Sequence, residues 1–163
     1  MTAQFTEDLQ YKGEKHRLCS KPLGPFLESS ASTLKFHATS SALWRGYIGT
    51  WCIENDRLYL AKLKGWVLTD NVESEVGLEA LFPDYPDGVF AHWFTGELRC
   101  PSGALLNYAH GGYLSTYEKD LFFWVQRGVV VEERVVVNGQ AEPGAPQGYI
   151  LGGATLFGNQ EET

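Results

Sequence analysis

The chain has 163 residues, of which 44% are hydrophobic and 13% aromatic, and its formal net charge is -7. This length suits a single domain that buries a proper core. The acidic balance argues against general binding to a nucleic-acid backbone, which depends on clustered Lys and Arg, and it suits a basic protein partner better.

Residues 1–30 are polar and contain two prolines, with no sustained hydrophobic period. They predict an irregular N-terminal arm, followed by a single β-rich domain over 31–163. Apolar and polar side chains alternate over 33–38, which predicts a first strand.

A pattern of apolar and glycine residues recurs 47 positions apart, in segments 43–68 and 90–115. In each segment an alternating apolar run meets a turn, and a second apolar run follows, which is typical of a β-hairpin. The turns are expected at 54–56 and 101–103. The two segments therefore predict two hairpins related by an internal repeat, and the apolar residues on both faces of the first predict a central strand.

One short helix is expected between the two hairpins, over about 72–82. Asp70 or Asn71 is suited to cap its start, and Pro83 is suited to end it. Acidic residues in its first turn would favour its positive end.

The remaining segments are also predicted to form strands. Runs of aromatic and β-branched residues at 114–126 and 129–137 predict a third hairpin. A last short strand is expected at 149–151 or 155–157. Together these elements predict a mainly β fold, an antiparallel, hairpin-built sandwich or partly open barrel with one short helix.

Targeting and membrane-spanning patterns in the sequence indicate where in the cell the protein is located. No apolar stretch is long enough to span a bilayer, and the first residues do not resemble a signal peptide. The three cysteines, Cys19, Cys52 and Cys100, are an odd number without the spacing of a metal finger. We therefore expect a cytoplasmic protein with free thiols and no membrane contact.

Catalytic signatures are weak. There is no nucleophile elbow and no phosphate-binding loop. His92 and His110 flank the second predicted hairpin, so a small hydrolase or metal-dependent enzyme that uses this pair is one alternative. Their spacing does not demand a metal, and we predict neither a metal nor a cofactor.

Aromatic rings interleaved with cationic groups are the most suggestive feature. From these features we predict a non-catalytic cytoplasmic protein that binds a protein partner through an acidic, aromatic-bearing surface. An inhibitor or immunity type of role is expected. A small-molecule or nucleotide sensing or sequestering module is the other alternative. The candidate binding residues are Trp44, Arg45, His92, Trp93, His110 and Tyr113.

Overall fold

The computed structural model describes residues 3–29 and 34–149 and confirms the predicted mainly β fold. Nine strands form one mixed sheet that is not closed into a barrel. Helical structure in the described ranges is limited to one turn of α-helix, α1 (Gly24–Glu28), and a 3-10 turn at Leu78–Ala80. The strands are β1 (Glu7–Tyr11), β2 (Glu14–Leu18), β3 (Tyr47–Glu54), β4 (Arg57–Thr69), β5 (Val72–Val76), β6 (Val89–Phe90), β7 (Gly96–Asn107), β8 (Thr116–Gln126) and β9 (Val129–Val137).

The sheet consists of two parts that meet at their hairpin turns. Its strand order is β2-β1-β3-β4-β9-β8-β7, with β5 and β6 also paired to β4. The β1–β3 pair is parallel, and the other pairs are antiparallel. Strand β9 pairs with β4 only at Arg57 and Val129. At the opposite side Cys19 N donates to Arg99 O at 2.8 Å, which brings the edges of β2 and β7 together.

The core lies between the two parts of the sheet. Along β3 every second residue is buried, which is the period of a strand with one face on a core. Trp51 from this strand packs in the same cluster as Leu60 from β4 and Phe123 from β8, and all three are fully buried. A smaller cluster forms around Tyr117 and Tyr149.

The prediction of an irregular arm over 1–30 is wrong, because this segment contains β1, β2 and α1. Its polar composition concealed the strands. Strand β1 finds its partner far along the chain, in parallel register with Thr50 to Ile53 of β3. Leu9 and Leu18 are fully buried, so the segment belongs to the core. The boundary of the β-rich domain at residue 31 stays a prediction.

The second predicted hairpin is also wrong. Residues 96–107 form one strand, β7, which pairs with β8 and does not fold back at 101–103. The turn-like residues there produce a shift in register between Ser102 and Leu105, with Gly103 at a φ of 85°. A bulge accommodates such residues because β8 continues beside them. The internal repeat is therefore not supported by the fold.

The predicted helix over 72–82 is replaced by β5 and the 3-10 turn. Asp70 and Asn71 have φ values of 52° and 63°, so they form the tight turn of the β4–β5 hairpin and do not cap a helix. Two consecutive residues with positive φ are typical of the turn that matches strand twist.

The other predictions have mixed outcomes. The hairpins β3–β4 and β8–β9 are confirmed, and β4 extends through the segment after residue 63. Residues 34–38 form no regular strand, although His37 N donates to Trp66 O at 2.7 Å. Of the last predicted strand, at 149–151 or 155–157, all residues except Tyr149 lie outside the described residues.

Candidate functional site

Two loops, 39–46 and 108–115, are both hydrogen-bonded to Gln4, a residue near the N-terminus. The side-chain amide of Gln4 donates to Ser41 O at 2.8 Å and accepts from Trp44 N at 2.8 Å. The main-chain N of Gln4 donates to Gly112 O at 3.0 Å. Gln4 is itself buried, so this residue fixes both loops from beneath.

A fully buried carboxylate lies under the first loop. Arg45 donates from Nε and Nη2 to Glu7 Oε2 at 3.0 and 2.8 Å. Gly49 N donates to the same oxygen at 2.9 Å, and Trp51 Nε1 donates to Oε1 at 2.9 Å. Four donors therefore surround one carboxylate, and a buried charge requires this degree of pairing.

The protonation state of the Glu7–Arg45 pair follows from the hydrogen-bond donors around the Glu7 carboxylate. Burial raises the pKa of Glu7, and the charge of Arg45 and the hydrogen bonds from Trp51 and Gly49 oppose that rise. Burial lowers the pKa of Arg45, but the charge of and hydrogen bond to Glu7, together with Tyr113 and Tyr47, raise it by more, so the net change is upward. The groups that surround Glu7 are N–H donors, which cannot accept a proton from a carboxylic acid, so the pair is ionised at neutral pH.

A second ion pair is linked to the first through main-chain oxygens. Phe5 O accepts from Arg45 Nη1 at 2.9 Å and from the Tyr113 hydroxyl at 3.0 Å. Tyr113 O accepts from Arg99 Nη1 at 2.7 Å, and Arg99 Nε donates to Asp120 at 2.8 Å. The two loops thus rest on a connected polar network, which rigidifies a site when its members are satisfied.

Large apolar side chains project from both braced loops. Trp44 is 66% exposed and Leu114 is 72% exposed. Their loops are held by Gln4, by the Glu7–Arg45 pair and by Tyr113, so the backbone beneath them is ordered before any partner arrives. We call the exposed surface of loops 39–46 and 108–115 the Trp44 surface.

An acidic hairpin adjoins the Trp44 surface. Trp66 N donates to Gly46 O at 3.0 Å, which places the base of the β4–β5 hairpin beside the first loop. Residues 65–98 contain seven Asp or Glu and no Lys or Arg. Glu73 and Glu75 are exposed on β5. The segment 65–98 therefore has a net negative charge, although Glu75 forms an exposed ion pair with Lys64 of β4 and Glu73 lies 3.4 Å from His37.

Four of the six predicted binding residues lie in these two loops: Trp44, Arg45, His110 and Tyr113. Arg45 and Tyr113 use their polar groups beneath the surface, whereas Trp44 is exposed. His110 is exposed, and its Nδ1 lies 2.7 Å from the Tyr108 hydroxyl. The structure thus brings four of the predicted residues into two neighbouring loops, and the sequence pattern did not predict the buried ion pair of Arg45.

His92 and Trp93 lie in a different environment. Trp93 Nε1 donates to Pro22 O at 2.8 Å, and its ring stacks on Phe82 with a centroid distance of 5.5 Å and an interplanar angle of 9°. His92 is exposed and meets the edge of Trp93. His92 and His110 thus contact different residues, and no three His, Cys, Asp or Glu side chains in ranges 3–29 and 34–149 are grouped as metal ligands would be.

Sequence reasoning missed Gln4 and Glu7, the residues that hold the loops in place. Their partners are separated from them by about forty positions, so no local motif joins them. The one available signal was the alternation of Phe5, Glu7, Leu9 and Tyr11, a strand pattern in which a glutamate occupies an inward position.

Comparison with protein-family models, curated proteins and solved structures finds no match for this chain. Within the ranges that the structure describes, none of the helices has the length and apolar character of a membrane span.

Proposed function

We propose that this protein is a non-catalytic, cytoplasmic binding protein that engages a protein partner through the Trp44 surface. The observation that carries the proposal is a tryptophan 66% exposed on a loop that Arg45 and the fully buried carboxylate of Glu7 hold in place. Leaving a large ring in water has a cost, and tryptophan is enriched among the residues that dominate protein–protein affinity.

Rigidity supports the same proposal. A loop that is already ordered loses little conformational entropy when it binds, so more of the contact energy appears as affinity. The hydrogen bonds from Gln4 to both loops provide such order.

The charge of the neighbouring hairpin indicates the kind of partner. Carboxylates on β5 beside an apolar anchor would steer a basic protein toward the surface and disfavour an acidic one. The net charge of -7 extends that field over the molecule. An inhibitor or immunity type of role, in which a basic enzyme is neutralised, suits these properties.

The experiment compares capture of proteins from the native host by three forms of the chain. Wild type and Trp44→Ala test the anchor, and Tyr85→Ala removes another ring, 56% exposed, as a matched control. We expect a basic protein retained by wild type and Tyr85→Ala, with affinity for Trp44→Ala reduced by about 30-fold or more. Equal retention by all three forms would contradict the proposal.

A further inference from the structure

The edges of β2 and β7 meet at one point and then separate. Cys19 N donates to Arg99 O, and Ser20 Oγ accepts from Arg99 N at 3.1 Å. Further along β7, Ala104 forms a bridge with Gln147 instead, and Leu105 N donates to Pro146 O at 3.0 Å. A gap is left between β2 and the part of β7 that lies between these contacts.

The sequence explains why the sheet stays open here. Pro101 has no N–H to give to a neighbouring strand. The register shift after Ser102 and the positive φ of Gly103 bend β7 at the same place. These residues were predicted to form a hairpin turn, and in the fold they open the sheet instead.

The gap is a cavity of about 270 Å³ with two chemically different walls. The β2 wall carries Lys15 and Arg17, and the opposite wall carries Pro101, Tyr117 and Tyr149. Arg17 is bonded to Asp8 at 3.1 Å. Lys15 is exposed and forms no salt bridge within the described part of the chain.

Charge distinguishes this cavity from the rest of the molecule. Among the described residues that line it none is Asp or Glu, although the chain has 20 such residues against 13 Lys and Arg. The rings of Tyr117 and Tyr149 are buried and lie nearly parallel, at 29°, so they offer a flat apolar boundary. Ser102 adds a hydroxyl to the lining.

We propose that this cavity binds a small organic anion with a flat apolar body, such as an aromatic carboxylate. The carboxylate pairs with Lys15, and the ring lies against the tyrosine and proline wall. This binding site is independent of the Trp44 surface, so either proposal stands if the other fails.

The experiment is a titration of the isotope-labelled full chain with benzoate, followed by the amide signals of Lys15, Ser102 and Gly148. We expect saturable shifts of these signals. Benzyl alcohol lacks the charge and acetate lacks the ring, so both should bind more weakly than benzoate. Absence of a saturable shift with benzoate would overturn the proposal, as would equal binding of either comparison compound.

A charge-matched pair of variants tests the location. Lys15→Gln should reduce the affinity for benzoate by about fivefold, because one partly exposed contact between opposite charges is lost. Lys62→Gln removes an exposed lysine from β4 and should leave the affinity unchanged. Unchanged affinity in Lys15→Gln, or equal losses in both variants, would show that the anion binds elsewhere.

Discussion

At the scale of single residues, Glu7 connects the core to the exposed loops. It is an acidic side chain with no exposure, and its partners come from the loop of Trp44 and from β3. A buried ion pair adds little stability compared with an apolar pair, but breaking one is costly because a charge is left without a partner. Glu7 is therefore a sensitive position although it is absent from the surface.

Replacing Glu7 with Gln should destabilise the protein by about 3–5 kcal/mol, because Arg45 stays buried without its counter-charge. Urea unfolding followed by tryptophan fluorescence measures this change. Glu75→Gln is the control, since its ion pair with Lys64 is more than half exposed and should contribute less than about 1 kcal/mol. Equal effects of the two variants would contradict the importance given to Glu7.

The three cysteines should differ in reactivity. Burial raises the pKa of Cys19 to about 12 and also raises the pKa of Cys100, so both stay protonated at pH 8. Cys52 is only partly buried. Brief treatment of the folded protein with iodoacetamide should modify Cys52 first, and treatment in urea should modify all three. Mass spectrometry that finds Cys19 modified as fast as Cys52 would contradict the burial described here.

At the scale of elements, local sequence patterns identified hairpins whose two strands are neighbours in the chain. The β3–β4 and β8–β9 hairpins were predicted because each has its turn and both strands within one short segment. Strands β1 and β2 also lie within one short segment, but their hairpin was missed because its residues are mostly polar. The pairing of β1 with β3, about forty residues away, has no local signal in the sequence. The bulge in β7 was taken for a turn because only the presence of β8 distinguishes the two.

The site was predictable to a similar degree. Aromatic residues interleaved with cationic groups, which are visible in the sequence, drew attention to Trp44 and Tyr113, but only Trp44 is exposed in the fold. The bonds that give Arg45 and Tyr113 their positions end on Phe5 and Glu7, and tertiary structure alone brings these together.

Glu118 of β8 is hydrogen-bonded to residues outside its own strand. These bonds lead to a prediction about how stability depends on pH. Its carboxylate accepts from Ala104 N at 2.8 Å and from Ala141 N at 3.0 Å, and these bonds lower its pKa from 4.5. A carboxylate whose pKa is lower in the folded state than in the unfolded state stabilises the folded protein at pH values above the unfolded pKa. This stabilisation is lost as the pH falls through the folded pKa.

Glu118→Gln should therefore be less stable than wild type at pH 7, and the difference should shrink as the pH falls below about 4.5. Urea unfolding across this range measures it. A difference that stays constant with pH would show that the charge of Glu118 is not what matters.

At the scale of the whole molecule, two parts of a sheet enclose one core and the sheet stays open at the β2–β7 gap. The N-terminal segment contributes to the edge of the sheet through β1 and β2, and to the Trp44 surface through Gln4 and Phe5. The order of the surface thus depends on the folding of the whole chain. An acidic hairpin next to a fixed, exposed tryptophan is the arrangement from which we infer a basic protein partner.

Site-specific photo-crosslinking in the native host tests this central claim most directly. A photoreactive benzoylphenylalanine placed at position 44 should form a covalent adduct with one basic protein. The same residue placed at position 85 should not form that adduct, although Tyr85 is also exposed. Absence of an adduct at position 44, or the same adducts from both positions, would contradict a partner-binding role for the Trp44 surface.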